Sequence, residues 1–128
     1  MTSERLSDYE MLLKNLKTPF NVLVFTETWL TQDIIDHCNF KGFHPIHLIR
    51  PSNENIDFKL RGGGVSIFVR DYLTFTPRND LSIMQPFMEC SFIEIQYNSI
   101  KYLIGGIYRV TNTDVNLFTE YFDKIIER

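Results

Sequence analysis

Hydrophobic residues at the start of the chain follow a helical period, and an apolar run comes directly after them. Within residues 3–17 they recur at intervals of three and four, which predicts an amphipathic helix beginning at Ser3 or Ser7. Pro19 is expected to end this helix. Residues 20–25 are rich in β-forming side chains and predict a buried strand. This order indicates an α/β fold in which a helix lies on one face of a sheet.

Further along the chain, short apolar or alternating runs between turn signals predict more strands. The predicted strands are residues 43–49, 65–69, 87–97 and 100–109, and the predicted helices are residues 32–39 and 114–127. Residues 72–75 are expected to prolong the strand before them, residues 98–99 to form a hairpin turn, and residues 111–113 to cap the last helix. The strands within residues 20–25, 65–69, 91–97 and 101–108 are expected to share one sheet.

Glu27 follows the first predicted strand directly and is a candidate for chemistry. Carboxylates are rarely fully buried unless they are paired, so Glu27 is expected either at the carboxyl edge of the sheet or beside a partner. Ligand sites of open α/β sheets lie at that edge, and Mg²⁺ prefers oxygen ligands. The alternative is a structural acid that caps the following turn or pairs with an arginine. Considered alone, the acid favours the structural interpretation.

Two groups of glycines predict places where the backbone comes close to another chain segment. Residues 62–64 are three consecutive glycines, but no G-K-S/T follows them and the next segment predicts a strand, so they do not form a P-loop. They predict a tight turn with close backbone approach at the entrance to that strand. Residues 105–106 predict a second close approach. Arg61 faces either the site or solvent, and residues 50–59 predict an exposed loop.

Composition changes this picture little. The length of 128 residues predicts one domain, and 44% hydrophobic residues are enough for a core. The net charge of −3 lacks the basic character that nucleic-acid-binding domains usually show. No apolar run approaches the length of a membrane span, and no secretory signal follows Met1, so an intracellular protein without membrane contact is expected.

The histidines and cysteines do not form a metal-binding pattern. His44 and His47 are three residues apart on a predicted strand, so they point to opposite faces and cannot share a metal ion. Together with His37 they are interpreted as structural or surface residues. Cys38 and Cys90 also lack metal-type spacing and are interpreted as reduced, buried thiols.

Four segments of the chain resemble, in order, the endonuclease domain of non-LTR (LINE-like) retrotransposons, which belongs to the exonuclease–endonuclease–phosphatase family. The segments are Thr26-Glu27-Thr28-Trp29-Leu30, Arg61-Gly62-Gly63-Gly64-Val65, residues 89–95, and Ile107-Tyr108-Arg109. Each one alone is weak, whereas four in order, each at a predicted strand edge, make a specific match. The resemblance covers nearly all of the chain from Phe20 onward.

The resemblance implies roles for two residues in metal-dependent cleavage of DNA. Glu27 would hold the catalytic Mg²⁺ (or Mn²⁺), and the Tyr108 hydroxyl would donate to an oxygen of the scissile phosphate. Without the resemblance, Tyr108 would be interpreted as a core tyrosine with a satisfied hydroxyl. Glu89 is either an acid that supports the metal ligand or an edge residue. Val110 stands where the family usually has proline.

The resemblance also predicts an incomplete domain. The family's Asn-bearing first strand, its G-D-F-N motif and its late S-D-H motif have no counterpart in residues 1–128. The expected fold is therefore α/β, part of a two-sheet sandwich, with one mixed sheet, helices on its outer face, and the second sheet missing or incomplete. A truncated and catalytically inactive copy is expected, which self-associates through its uncovered sheet.

Other functions remain open at this stage. The main alternative is a non-catalytic relic or a small interaction domain. A phosphatase of the same family is also conceivable, but the T-E-T-W-L and R-G-G-G-V segments argue against it. In a retrotransposon protein the domain would be expected in the nucleus.

Overall fold

The computed structural model describes residues 3–16, 20–51 and 62–127, which form two helices and seven strands. In chain order they are α1 (Ser3–Asn15), β1 (Val22–Thr26), β2 (Phe43–Leu48), β3 (Val65–Arg70), β4 (Phe75–Pro77), β5 (Ile83–Gln85), β6 (Met88–Tyr97), β7 (Ile100–Arg109) and α2 (Val115–Ile126). A short 3₁₀ helix, Ile35–His37, lies between β1 and β2. Pro19, Arg61 and most of the loop predicted at residues 50–59 lie outside the described residues.

The strands form two sheets rather than one. Sheet A has the order β1-β3-β2, and in sheet B the central strand β6 pairs with β4, β5 and β7. Each of these pairs is antiparallel. The prediction of one mixed sheet is therefore wrong. The reason is that β7 occupies one edge of β6 along all ten residues while β4 and β5 share the other, so β6 has no free edge for β1 or β3.

Two hydrophobic clusters order the elements into layers. Ile67 and Val69 of sheet A pack against Ile93 and Ile95 of sheet B, and all four are buried. The opposite face of sheet A, around Phe68, is covered by α1 and by the segment that follows β1. The layers are thus α1, sheet A and sheet B, which confirms an α/β architecture with a helix on the outer face. The inner face expected to be uncovered is covered, because sheet B packs on it.

The segment between β1 and β2 contains much less helix than predicted for residues 32–39. Only Ile35–His37 is helical, as a single 3₁₀ turn. The side chain of Asn39 ends it, because its Oδ1 accepts a hydrogen bond from the Phe40 N–H and its Nδ2 donates to the Phe43 carbonyl. Those local bonds turn the chain into β2 instead of prolonging a helix.

Several other boundaries differ from the predictions. The strand predicted as buried at residues 20–25 is β1, which is half-buried because it is an edge strand paired only with β3. Residues 72–75 do not prolong β3, because the chain turns there and β4 pairs with β6 in the other sheet. The cap of α2 is Asp114, one residue beyond the predicted caps, and its side chain accepts from the Asn116 N–H. The hairpin turn at residues 98–99 is confirmed, with positive φ at both residues.

Both cysteines are buried, reduced thiols, as predicted. Burial raises the pKa of Cys90 to about 11, which keeps this thiol protonated at neutral pH. Neither helix in the described part of the chain has the length and apolar character needed to cross a membrane.

Candidate functional site

Glu27 and Tyr108 meet where the two sheets face each other. The Tyr108 hydroxyl donates a hydrogen bond to Glu27 Oε1 at 2.7 Å, although the residues are 81 positions apart. Glu27 directly follows β1, and Tyr108 is close to the end of β7. A Cβ at Gly106 would lie 2.6 Å from Val24, so β1 and β7 approach closely at this point of the sandwich. Glu27 and Tyr108 therefore lie close together as expected, but β1 and β7, which position them, belong to two different sheets, where one edge of a single sheet was expected.

Residues 62–64 form the floor of this site. All three glycines have positive φ, between 71° and 91°. The Gly63 carbonyl accepts a hydrogen bond from the Trp29 N–H at 2.9 Å, which ties the glycines to the segment after Glu27. A Cβ at Gly63 would overlap Arg50 and lie 2.7 Å from Glu89 Oε2. The predicted tight turn with close backbone approach is therefore confirmed, and only glycine fits at Gly63 without displacing its neighbours.

A buried ion pair lies directly beneath the glycines. Arg50 Nε donates to Glu89 Oε2 at 2.5 Å, and the Gly64 N–H donates to Glu89 Oε1 at 2.9 Å. Glu89 is fully buried on the central strand β6, where it lies opposite Tyr108 in the β6–β7 register. It is therefore not an edge residue. The pairing satisfies both of its oxygens, which is the condition for burying a carboxylate.

Arg50 is a residue of this candidate site that the sequence analysis did not identify. It lies just beyond β2, at the start of a polar segment that predicted an exposed loop. The available signal was the acid Glu89 within a predicted strand, since an acid that becomes buried in a sheet is normally paired. Nothing in the sequence identified which of the arginines is its partner.

The hydrogen bond with Glu27 also sets the protonation of Tyr108. It is the main cause that raises the pKa of Tyr108 above its ordinary value of 10, and desolvation and the charge of Glu27 act in the same direction. The charge of Arg50 and a hydrogen bond with Thr111 act in the opposite direction. Tyr108 therefore keeps its proton at neutral pH and acts as a donor.

The oxygen atoms of this site that could ligate a metal ion suit a hard cation, but there are few of them. Glu27 is an exposed carboxylate, whereas both oxygens of Glu89 are engaged by Arg50 and Gly64. The described residues contain no group of three or more His, Cys, Asp or Glu side chains able to enclose a metal. Mg²⁺ commonly binds through one or two carboxylates, with waters and substrate phosphate completing its shell. Glu27 fits such an ion in its chemistry, provided that other oxygens come from water and substrate.

The histidines do not contribute to this site. His47 is hydrogen-bonded on both ring nitrogens, to Ser66 Oγ at 2.7 Å and to the Cys38 carbonyl at 2.9 Å. Burial lowers the pKa of His47, which favours the neutral ring. His44 lies on the other face of β2, beside the ring of Phe75. The prediction that these two histidines point to opposite faces is confirmed.

A cleft of about 450 Å³ opens beside Glu27, between α1 and the end of β1. Its lining residues are Arg5, Tyr9, Phe25, Thr26, Glu27, Thr28 and Trp29. The T-E-T-W part of the chain therefore forms one wall of the cleft, and the other wall carries the cation of Arg5.

Together these residues place an exposed carboxylate next to a phenolic hydroxyl that donates a hydrogen bond to it, beside a cleft. Such a combination is suited to binding a phosphate ester together with a divalent ion. No family model, curated protein or solved structure matches the chain. The functional conclusion rests on this geometry and on the four segments that carry the sequence resemblance.

Proposed function

We propose that this chain is part of a Mg²⁺-dependent endonuclease domain that cleaves DNA phosphodiester bonds, similar to the domain found in non-LTR retrotransposons. Its architecture would then be part of the exonuclease–endonuclease–phosphatase sandwich. The observation that carries the proposal is the 2.7 Å hydrogen bond between Tyr108 and Glu27. These are the two residues that the resemblance assigns to phosphate and metal, and the fold brings them together although they are 81 positions apart.

In this proposal each of the two residues has one task. Glu27 holds the ion through its carboxylate, and Mg²⁺ when bound supplies positive charge that stabilises the phosphate in the transition state. Tyr108 donates its proton in a hydrogen bond to a phosphate oxygen, exchanging its Glu27 acceptor for the substrate. A phenol has an ordinary pKa of about 10, so Tyr108 keeps at neutral pH the proton that this hydrogen bond needs.

The Arg50–Glu89 pair would support the site from below. It holds Gly63 and Gly64 in place through the Gly64 N–H, and Gly63 in turn accepts from the Trp29 N–H. The segment that carries Glu27 is therefore anchored to a buried charge pair instead of being a free loop. Such support from buried, fully hydrogen-bonded groups is what a precisely placed ligand requires.

The proposal is tested by metal-dependent binding of a short DNA duplex, measured by fluorescence anisotropy in Mn²⁺ and in a chelator. Mn²⁺ should strengthen binding to the wild type, and Glu27→Gln should lose that increase. Tyr108→Phe should weaken binding about 10-fold or more, the value of a hydrogen bond to a charged group. Glu120→Gln serves as the control, because this exposed acid is paired with Lys124 on the same helix, α2. An equal metal effect in wild type and Glu27→Gln would contradict the proposal.

A second candidate function is an interaction domain that binds another polypeptide through its strand edges. Among the described residues, β1 pairs only with β3 and β7 pairs only with β6, so each presents a free edge. Ile100 and Leu103 on β7 are exposed apolar residues of one of these edge strands. Free apolar edges promote strand addition, including self-association. A protein of this kind would show no effect of Mn²⁺ or of Glu27→Gln on DNA binding.

A further inference from the structure

Trp29 combines two features that are unfavourable for a tryptophan with only a packing role. Its side chain is 55% exposed, and its backbone has a φ of +60°. The left-handed region is a true outlier for a bulky residue, and such strain persists where the surrounding structure imposes it. Strained residues of this kind cluster at binding sites, so the conformation of Trp29 indicates a ligand contact.

The neighbouring backbone holds Trp29 in this position. Its N–H donates to the Gly63 carbonyl at 2.9 Å, and Gly62 lies against the indole ring. A Cβ at Gly62 would be 3.4 Å from both Nε1 and Cε2 of Trp29, so one side of the ring is backed by bare glycine backbone. The indole is thereby supported on the protein while most of its remaining surface is open.

The open part of Trp29 belongs to the cleft that also contains Glu27. Arg5 of α1 is an exposed residue that lines the same cleft, which adds a cation to the aromatic ring and the acid. An aromatic platform with a nearby cation is the combination by which proteins bind nucleic-acid strands, since each base presents a flat face and each phosphate a negative charge.

We propose that Trp29 is a base-stacking residue, which binds the nucleobase next to the phosphate held at Glu27 and Tyr108. The inference rests on the proposed function, because the position of that phosphate selects a nucleotide as the occupant of the cleft. It also explains why the chain keeps an exposed tryptophan in a strained conformation directly after the acid. Arg5 then contacts the backbone phosphate of the same nucleotide.

The test uses the intrinsic fluorescence of the protein. The sequence contains a single tryptophan, so the emission of the full chain reports on Trp29 alone. A single-stranded oligonucleotide is titrated in a chelator while tryptophan emission and the anisotropy of a label on the DNA are recorded. Quenching that follows the binding curve is expected, because a stacked base contacts the indole directly.

A base-stacking role of Trp29 can be distinguished from an effect of its substitution on the fold. Two variants and a modified DNA make this distinction. Trp29→Ala should weaken binding between about 5-fold and 100-fold, the range for one stacked base, while Trp29→Phe should stay within a few-fold of the wild type. A series of oligonucleotides with one abasic position each should contain a position at which quenching disappears. With that oligonucleotide, wild type and Trp29→Ala should bind equally. Circular dichroism checks the fold of both variants, and quenching of the wild type decides the matter if Trp29→Ala is unfolded.

Three results would overturn the inference. Unchanged binding by Trp29→Ala, or quenching that no abasic position removes, would show that Trp29 does not stack on a base. If Mn²⁺ nevertheless strengthens DNA binding by the wild type but not by Glu27→Gln, the proposed function stands without this inference. Absence of any DNA binding by the wild type, with and without Mn²⁺, would refute both proposals together.

Discussion

At the scale of residues, the hydrogen bond from Tyr108 to Glu27 couples the two proposed functions of the site. The bond stabilises the protonated phenol, and it holds the carboxylate in one orientation at the end of β1. Glu27 itself has a φ of +52°, a conformation that is uncommon for residues other than glycine. The site thus stores backbone strain at the residue that is proposed to bind the ion.

Replacing Glu27 with glutamine should lower the pKa of Tyr108, because the carboxylate is the main group that raises it. A tyrosine with a raised pKa in the folded state stabilises the fold at pH below its unfolded value of about 10, and this stabilisation is lost as the pH rises through the folded pKa. Ultraviolet titration of phenolate measures the shift, with Tyr108→Phe identifying its contribution among the six tyrosines. A titration curve unchanged by Glu27→Gln would contradict the hydrogen bond.

The Arg50–Glu89 pair should be sensitive to removal of either partner. Arg50→Met or Glu89→Leu alone leaves a buried charge uncompensated and should lower the free energy of unfolding by about 3–5 kcal/mol. The loss of unfolding free energy in the double variant should be smaller than the sum of the losses in the two single variants, because the double variant leaves no charge buried. Urea unfolding measures these values, and Asp80→Asn, in the exposed pair with Arg78, should cost at most about 1 kcal/mol. Additive losses would show that the two side chains do not interact.

Glu27 and Tyr108 became candidates only through the segments that resemble the retrotransposon endonuclease, because each residue considered alone favours a structural interpretation. The sequence could not identify the Arg50–Glu89 pair, whose members are 39 positions apart. The sequence predicted that Glu89 lies in a strand. It could not predict which face Glu89 occupies or that Glu89 is buried, because both depend on the strands that flank β6. The sequence drew attention to Trp29 only as part of the T-E-T-W-L segment, since the exposure and φ of this residue are properties of the folded chain.

At the scale of elements, the longer strands were predictable and the sheets were not. β3, β6 and β7 lie close to their predicted bounds because alternation and apolar runs mark them clearly. β4 has only three residues and β5, also of three, was missed. These short strands determine the sheets, because they occupy the edge of β6 that a single sheet would need for β1 or β3. Pairing of this kind is a non-local property that local patterns do not encode.

The glycine segment before β3 should tolerate substitution poorly at Gly63. Gly63→Ala places a Cβ onto Arg50 and close to Glu89, in addition to the cost of a positive φ, which is about 1–2 kcal/mol. Gly42→Ala is the matched control, since Gly42 also has a positive φ but its Cβ would meet, among the described residues, only the end of the Arg70 side chain, at 3.4 Å. Thermal unfolding should show a clearly larger loss for Gly63→Ala. Equal losses would mean that the buried pair accommodates the methyl group.

At the scale of the whole molecule, the three layers explain how two distant segments form one site. Sheet B covers the inner face of sheet A, and the close approach of Gly106 to Val24 aligns the ends of β7 and β1. The sequence indicated an α/β fold but predicted the inner face to be bare. The difference arises because β6 and β7, joined by a two-residue hairpin, pair fully with each other and form the core of a second sheet.

A polypeptide of residues 1–128 should not nick DNA by itself. Glu27 is one carboxylate, and His47 is not available as a base because both ring nitrogens are hydrogen-bonded. The resemblance implies further groups for the reaction, and the described residues offer no counterpart to them. A supercoiled plasmid incubated with the polypeptide in Mg²⁺ or Mn²⁺ should remain supercoiled. Nicking by the wild type that disappears in Glu27→Ala would refute this prediction, whereas equal nicking by both would reveal a contaminating nuclease.

The most direct test of the central claim is to locate a bound divalent ion in solution. Mn²⁺ is added in small amounts to the isotope-labelled polypeptide with a short DNA duplex, and paramagnetic broadening of backbone amide signals is recorded. The account predicts that signals of residues 26–29 and 107–109 broaden first, and that Glu27→Gln removes this pattern. Broadening centred on other acids, or the same pattern in Glu27→Gln, would contradict the assignment of Glu27 and Tyr108 to a metal- and phosphate-binding site.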